Sequence, residues 1–174
     1  MSDLEWNNSS LDDALLTFGK NTRELKLVTH SVAQTEAFGA ALARRMLLTD
    51  TPLPPYIALR GDLGVGKTAF VRGFVSVTAP NAAVRSPTFA LVNEYRPRGQ
   101  NHKSVTVFHF DMYRIVDEDD LYSIGYDDYP DRGICIVEWS ENIPYALPDE
   151  RLTLTIEKTS PDIPDDRTLH INLN

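Results

Sequence analysis

Eight consecutive residues constrain this chain more than any others. Gly61-Asp62-Leu63-Gly64-Val65-Gly66-Lys67-Thr68 match the phosphate-loop pattern G-x-x-x-x-G-K-[ST]. In that pattern backbone N–H groups wrap the phosphates, the lysine reaches the β- and γ-phosphates, and the hydroxyl ligates Mg²⁺. Such a loop needs positive φ and close backbone approach, which Gly61, Gly64 and Gly66 supply without a Cβ. It also needs a strand before it and a helix after it, so that the anion sits on a helix N-terminus. Tyr56-Ile57-Ala58-Leu59-Arg60 reads as that strand, and Ala69 to Val75 has the apolar spacing of that helix.

The 174 residues, 42% hydrophobic and 24% charged, fit one domain with a full-sized core. Residues 23–174 are assigned to it, and residues 1–22 to an N-terminal extension expected to be flexible, with one short amphipathic stretch at Leu11 to Phe18. The acidic N-terminus has no basic region followed by an apolar core, and no run reaches the ~18 apolar residues of a membrane span. Cys135, the single cysteine, lies in an apolar run and packs as a small hydrophobe. These features point to a cytoplasmic protein. A net charge of −8 disfavours a broad nucleic-acid surface, so contact with RNA is expected only through a partner.

Along the chain, Glu24 to Thr29 alternates as a strand. Ser31 caps a helix running to about Leu48, in which Gly39 signals close packing. Asp50 to Pro55 is a connector, and Ala79-Pro80-Asn81 ends the loop helix. Ala90 to Tyr95 is a strand and Ser104 to Asp111 a central one. The polar turn between them, Arg96 to Lys103, is either a solvated hairpin tip or a patch for an anionic partner. Asp117 to Asp120 leads into a short helix ending at Gly125, its acids serving the helix end. Gly133 to Trp139 is a buried parallel strand that delivers a carboxylate to the edge where ligands sit in open α/β sheets. Arg151 to Glu157 and Arg167 to Leu173 alternate and add two antiparallel strands at a sheet edge. The class is α/β, with a central, mostly parallel sheet flanked by helices.

A Mg-ATP site needs a loop hydroxyl, an acid at the end of a neighbouring strand, and a group that orients the attacking water. Thr68 is the hydroxyl. Asp111 and Glu138 both end strands; Glu138 better fits an apolar run closed by an acid, and is assigned to Mg²⁺ directly or through water. Asp111 is assigned to the water or to the groups behind the metal, although sequence does not fix which acid touches it. Lys67, Asp111 and Glu138 form the candidate catalytic set. His109 shares a strand face with Asp111 and Tyr113, but a histidine in an apolar strand is more often a hydrogen-bonded core residue than a catalyst. Arg114 either stabilises phosphate charge or makes an exposed ion pair. Thr88 either reads the γ-phosphate or caps a turn, and Trp139 is either core packing or a lid near the nucleotide.

In this order and spacing, Gly61 to Thr68, Ser86-Pro87-Thr88-Phe89, His109-Phe110-Asp111-Met112-Tyr113-Arg114 and Ile136-Val137-Glu138-Trp139 resemble the bacterial TsaE family. That family is the P-loop ATPase subunit of the machinery forming threonylcarbamoyladenosine in tRNA. The resemblance covers about residues 24 to 157. It implies a P-loop NTPase fold, Mg-ATP binding with slow hydrolysis, and assembly with TsaD and TsaB. TsaD would carry the threonylcarbamoyl transfer, with the ATPase subunit resetting the complex between turnovers. Carried over to this sequence, Leu63, Gly64, Val65, Gly66, Lys67 and Thr68 resemble the ATP-binding loop, and Val32 a residue touching the base. Thr68 and Glu138 look like Mg²⁺ ligands, Asp111 an activity residue, Ser86 and Thr88 switch-loop residues, and Trp139 a tryptophan close to the nucleotide. Residues 1 to about 22 have no counterpart and the tail after Glu157 matches poorly, so nucleotide or partner contacts there do not carry over.

Three functions share these features. The first is an ATPase acting as a conformational switch on a partner; the second is a small-molecule or nucleoside kinase, for which Arg96 and Arg98 are the only arginine cluster. The third is an ATP-binding assembly module in which hydrolysis is incidental. A GTPase is disfavoured because no Asn-Lys-x-Asp motif occurs.

Overall fold

A computed structural model describes residues 8–48, 52–87, 90–97 and 105–174. Strands β2 (Tyr56–Arg60), β4 (Val107–Asp111) and β5 (Ile134–Glu138) are apolar on both faces, and each is buried almost throughout. Such strands belong inside a parallel sheet covered on both sides. They lie there in a seven-stranded sheet of order β1-β7-β6-β2-β5-β4-β3, with β1 (Glu24–Thr29), β3 (Val92–Tyr95), β6 (Leu152–Ser160) and β7 (Ile163–Leu173) completing it. Pairing is parallel from β6 through β2 and β5 to β4, and antiparallel at β7, β1 and β3.

The Arg151 to Glu157 and Arg167 to Leu173 segments pair antiparallel with each other as β6 and β7, as expected; β6 also runs parallel to β2, so it lies inside the sheet, and β1 rather than β6 closes that side. Alternation alone does not encode which neighbour a strand takes.

Period two splits the sheet between two cores. Ile57, Leu59, Val107, Ile134 and Ile136 face the larger one, with Phe38 and Leu42 of α2 (Val32–Met46) and Phe70 and Phe74 of α3 (Lys67–Thr78). Tyr56, Ala58, Phe108, Phe110, Cys135 and Val137 face the smaller one, with Leu121 of α4 (Glu118–Ser123) and Tyr126. Burial pushes the Cys135 thiol up to about 12, so it packs as an inert hydrophobe. The acids before α4 serve the helix end as expected: the Asp117 side chain accepts from Asp120 N, and Asp120 accepts from Val116 N.

Helices α2 and α3 cross at two glycines. A Cβ on Gly39 would clash with Phe70 O, and one on Gly73 with the Glu36 backbone. The sequence marked Gly39; Gly73 is its counterpart on the loop helix, and together they set how close that helix lies to α2.

The segment before β1 also packs. Helix α1 (Asn8–Thr17) lies against α2, and Leu11, Leu15 and Phe18 join the larger core. Arg45 of α2, 3% exposed, donates Nε to Leu15 O and Nη2 to Phe18 O, both at 2.8 Å. It thus satisfies one carbonyl in the last turn of α1 and one in the residue just after it. Burial holds the Arg45 guanidinium below its ordinary pKa. No helix among the described residues is long and apolar enough to cross a membrane.

Candidate active site

Strand β2 ends at Arg60 and the chain turns through Gly61, Gly64 and Gly66 at φ of 130°, 77° and 110°, a region that L side chains avoid. At Gly61 a second constraint applies: a Cβ would run into Ile156 O of β6. Gly66 is the N-cap of α3, so Lys67 is the first helical residue and the loop amides precede a helix N-terminus, an anion-binding arrangement.

Lys67 is 5% exposed. Its Nζ donates to Gly61 O at 2.6 Å and Asp62 O at 2.9 Å, and stands 4.0 Å from the ring centroid of Trp139. Burial lowers the Lys67 pKa, opposed by the carboxylates of Glu138, Glu141, Asp111 and Asp62. The ammonium is therefore folded back onto the loop, with an aromatic face on one side. Trp139 reaches it from a strained backbone (φ 57°) directly after β5, and its ring also packs on Tyr113. The sequence left Trp139 as core or lid; it stands beside the phosphate-loop lysine.

Strands β4 and β5 pair Asp111 with Glu138, so both acids reach the same edge. Their surroundings separate them. Glu138 Oε1 accepts from Thr68 Oγ1 at 3.2 Å and lies 2.8 Å from His109 Nε2. Asp111 accepts from Ser86 Oγ at 2.9 Å and from Tyr113 N at 3.1 Å, which ties it to the proline-bounded loop. Thr68 and Glu138 therefore offer adjacent oxygen donors. This suits Mg²⁺, which binds through one or two protein oxygens together with substrate phosphates and water. No group of three or more His, Cys, Asp or Glu side chains among the described residues could hold a metal by itself.

The remaining sequence candidates fall around this centre. Val32 starts α2 and is exposed, as is Leu63; Val65 is buried. Thr88, Arg98 and Lys103 lie outside the described residues, as do residues 1–7 of the extension. Arg96 gives Nε and Nη2 to Glu94 at 2.7 and 3.1 Å, so its guanidinium is already engaged. A cavity of about 470 Å³ opens beside the loop, lined by Gly61, Asp62, Leu63, Val65 and Ile156 to Lys158. Two contacts were not read from sequence. His109 binds Glu138, and Arg167 of β7 donates Nε to Val65 O at 2.8 Å, fixing the loop from a strand 102 residues away.

The model of the family described as threonylcarbamoyl adenosine biosynthesis protein TsaE matches residues 29–168. Similar proteins include the tRNA threonylcarbamoyladenosine biosynthesis protein TsaE of Bacillus subtilis, 38% identical over 107 residues, which are 61% of this chain and 63% of that protein. The protein of the same name from Haemophilus influenzae is 36% identical over 69% of this chain and 73% of its own length. That of Treponema pallidum is 29% identical over 76% and 90%. The chain thus spans less than two thirds of the Bacillus relative. The crystal structure of Bacillus subtilis YdiB matches the fold with a TM-score of 0.62 at 29% identity, covering 86% of this chain and 85% of that one.

Proposed function

Because the chain belongs to the TsaE family of threonylcarbamoyl adenosine biosynthesis proteins, we propose that it binds Mg-ATP at the Gly61 to Thr68 loop and hydrolyses it slowly. We further propose that it serves as a switch subunit acting on TsaD and TsaB in tRNA threonylcarbamoyladenosine formation. The observation that carries this reading is the convergence on one sheet edge of a buried loop lysine, Lys67, and the Thr68–Glu138 oxygen pair. A nucleotide triphosphate with a divalent cation is the ligand that uses both.

In this reading the loop amides and the α3 N-terminus hold the phosphates. Lys67 leaves the Gly61 and Asp62 carbonyls and donates to phosphate oxygens, a charge-assisted exchange that shortens and strengthens its hydrogen bonds. Thr68 and Glu138 would hold Mg²⁺, which would supply positive charge to offset the charge of the bound phosphates. Asp111 orients the attacking water, and its hydrogen bond from Ser86 ties that orientation to the 82–87 segment. A partner that moves this loop therefore alters Asp111 directly. That coupling gives hydrolysis a route to partner control, and it favours the switch over the kinase and the assembly module.

The test is ATP hydrolysis by the purified chain, alone and with TsaD, TsaB and tRNA. Slow turnover alone, rising at least about tenfold with the partners, is expected; a tenfold change is a barrier difference of about 1.4 kcal/mol. Turnover indifferent to the partners, or a metabolite phosphorylated faster than ATP is hydrolysed, would overturn the proposal.

A further inference from the structure

We propose that His109 is the positioning residue that holds Glu138 in place for Mg²⁺. The inference rests on the nucleotide-site reading above and assigns a role to a side chain that reading does not use. Glu138 is 3% exposed and His109 fully buried. A carboxylate so enclosed is costly unless donors satisfy it. Of its two neighbours, the Thr68 hydroxyl stands at 3.2 Å, long for an O–H···O bond, whereas His109 Nε2 stands at 2.8 Å, short for a nitrogen donor. The imidazole is thus the principal anchor of Glu138, and Thr68 remains loosely held, able to turn toward another partner.

The ring's other nitrogen identifies the donor. Nδ1 is buried with no hydrogen-bond partner among the described residues. If Nδ1 carried the hydrogen, a buried N–H would be orphaned and a lone pair would face the carboxylate. Placing the hydrogen on Nε2 satisfies Glu138 and leaves only a lone pair unpaired, so the geometry assigns the Nε2–H form. The ring is held on its face by Tyr95, with centroids 6.3 Å apart and planes 28° from parallel. The β4–β5 register sets His109 opposite Ile136 and Asp111 opposite Glu138, placing His109 diagonally behind the carboxylate on the same sheet face.

The consequence is specific. The His109 bond occupies Oε1, and no hydrogen bond among the described residues reaches Oε2. A rigid donor behind one oxygen fixes the rotamer and leaves the other oxygen for a ligand, the usual manner in which groups behind a metal ligand orient it. Were His109 only core filler, an apolar residue of similar size would serve as well and would remove the orphaned Nδ1.

The experiment is calorimetric titration of ATP into wild type, His109→Leu, His109→Gln and His109→Asn, in excess EDTA and across a Mg²⁺ series, with melting temperatures to verify folding. In EDTA all four are expected to bind ATP alike. The Mg²⁺ concentration that gives half of the metal-dependent gain in affinity is expected to rise about 10–100-fold for Leu. Gln, whose amide N–H replaces Nε2–H at similar reach, should restore it; Asn, too short to reach, should not. A folded Leu or Asn variant with the wild-type Mg²⁺ midpoint overturns the inference, as does an equal rise in Leu and Gln, which would be a packing loss. If Leu does not fold, the Gln and Asn pair decides by the same criteria. Wild type that binds ATP without help from Mg²⁺ removes the metal role of Glu138, and with it both the reading and the inference; a Mg²⁺-dependent wild type with an indifferent Leu variant overturns the inference alone.

Discussion

Lys67→Ala should weaken ATP binding by roughly 100-fold, the loss of about 3 kcal/mol expected when a buried ammonium's charge-assisted hydrogen bonds to phosphate are removed. Under the proposed function the loss falls on binding. Nζ lies against Gly61 O, Asp62 O and the Trp139 ring, so part of its dehydration is complete before a ligand arrives. Phosphate exchanges two neutral carbonyl acceptors for charged ones. Truncation also removes a partly desolvated cation whose pKa burial already lowers, so the melting temperature should change little. Calorimetry with Mg-ATP checks this; a dissociation constant within threefold of wild type would contradict it.

Glu138→Ala should act on another quantity. Hydrolysis should fall at least about 100-fold, the size of loss seen when one preorganised electrostatic group is removed from a transition state, while ATP affinity in EDTA stays near wild type. Alanine also strands His109 Nε2–H, a buried donor, at a cost of about 1–3 kcal/mol in stability. Glu138→Gln, which keeps volume and a hydrogen-bonding oxygen, separates the effects: it should regain much of the stability and little of the hydrolysis. Hydrolysis by a folded Glu138→Ala within threefold of wild type would remove this residue from the chemistry.

What sequence made legible was local. The phosphate loop needs a strand, three glycines and a helix start within a dozen residues, and every part of that signal is contiguous; the loop forms where expected. Ser31 caps α2 and Asp117 caps α4 by the same kind of short-range rule. Strand pairing was less legible, because period two tells which face a residue takes but not which neighbour a strand takes. Hence the antiparallel pair β6 and β7 was legible, whereas the parallel pairing of β6 with β2, which takes β6 inside the sheet, was not. Sequence could not rank Asp111 and Glu138 securely for a related reason: the two are paired across β4 and β5, and their surroundings differ only through distant partners, Thr68 and His109 beside Glu138 and Ser86 beside Asp111. Arg45 was invisible because its acceptors, the carbonyls of Leu15 in α1 and of Phe18 just after it, belong to a segment that sequence treated as an extension. Arg167 was invisible because alternation in β7 says nothing about a loop on a distant strand.

The most direct measurement is threonylcarbamoyladenosine formed on tRNA by TsaD and TsaB, supplied with a threonylcarbamoyl donor and ATP, with this chain present, absent, or carrying Glu138→Ala. If the chain is an ATP-driven switch that resets its partners, product should pass one equivalent per complex only with the wild-type chain. Product accumulating equally without the chain, or with Glu138→Ala in its place, would contradict that account.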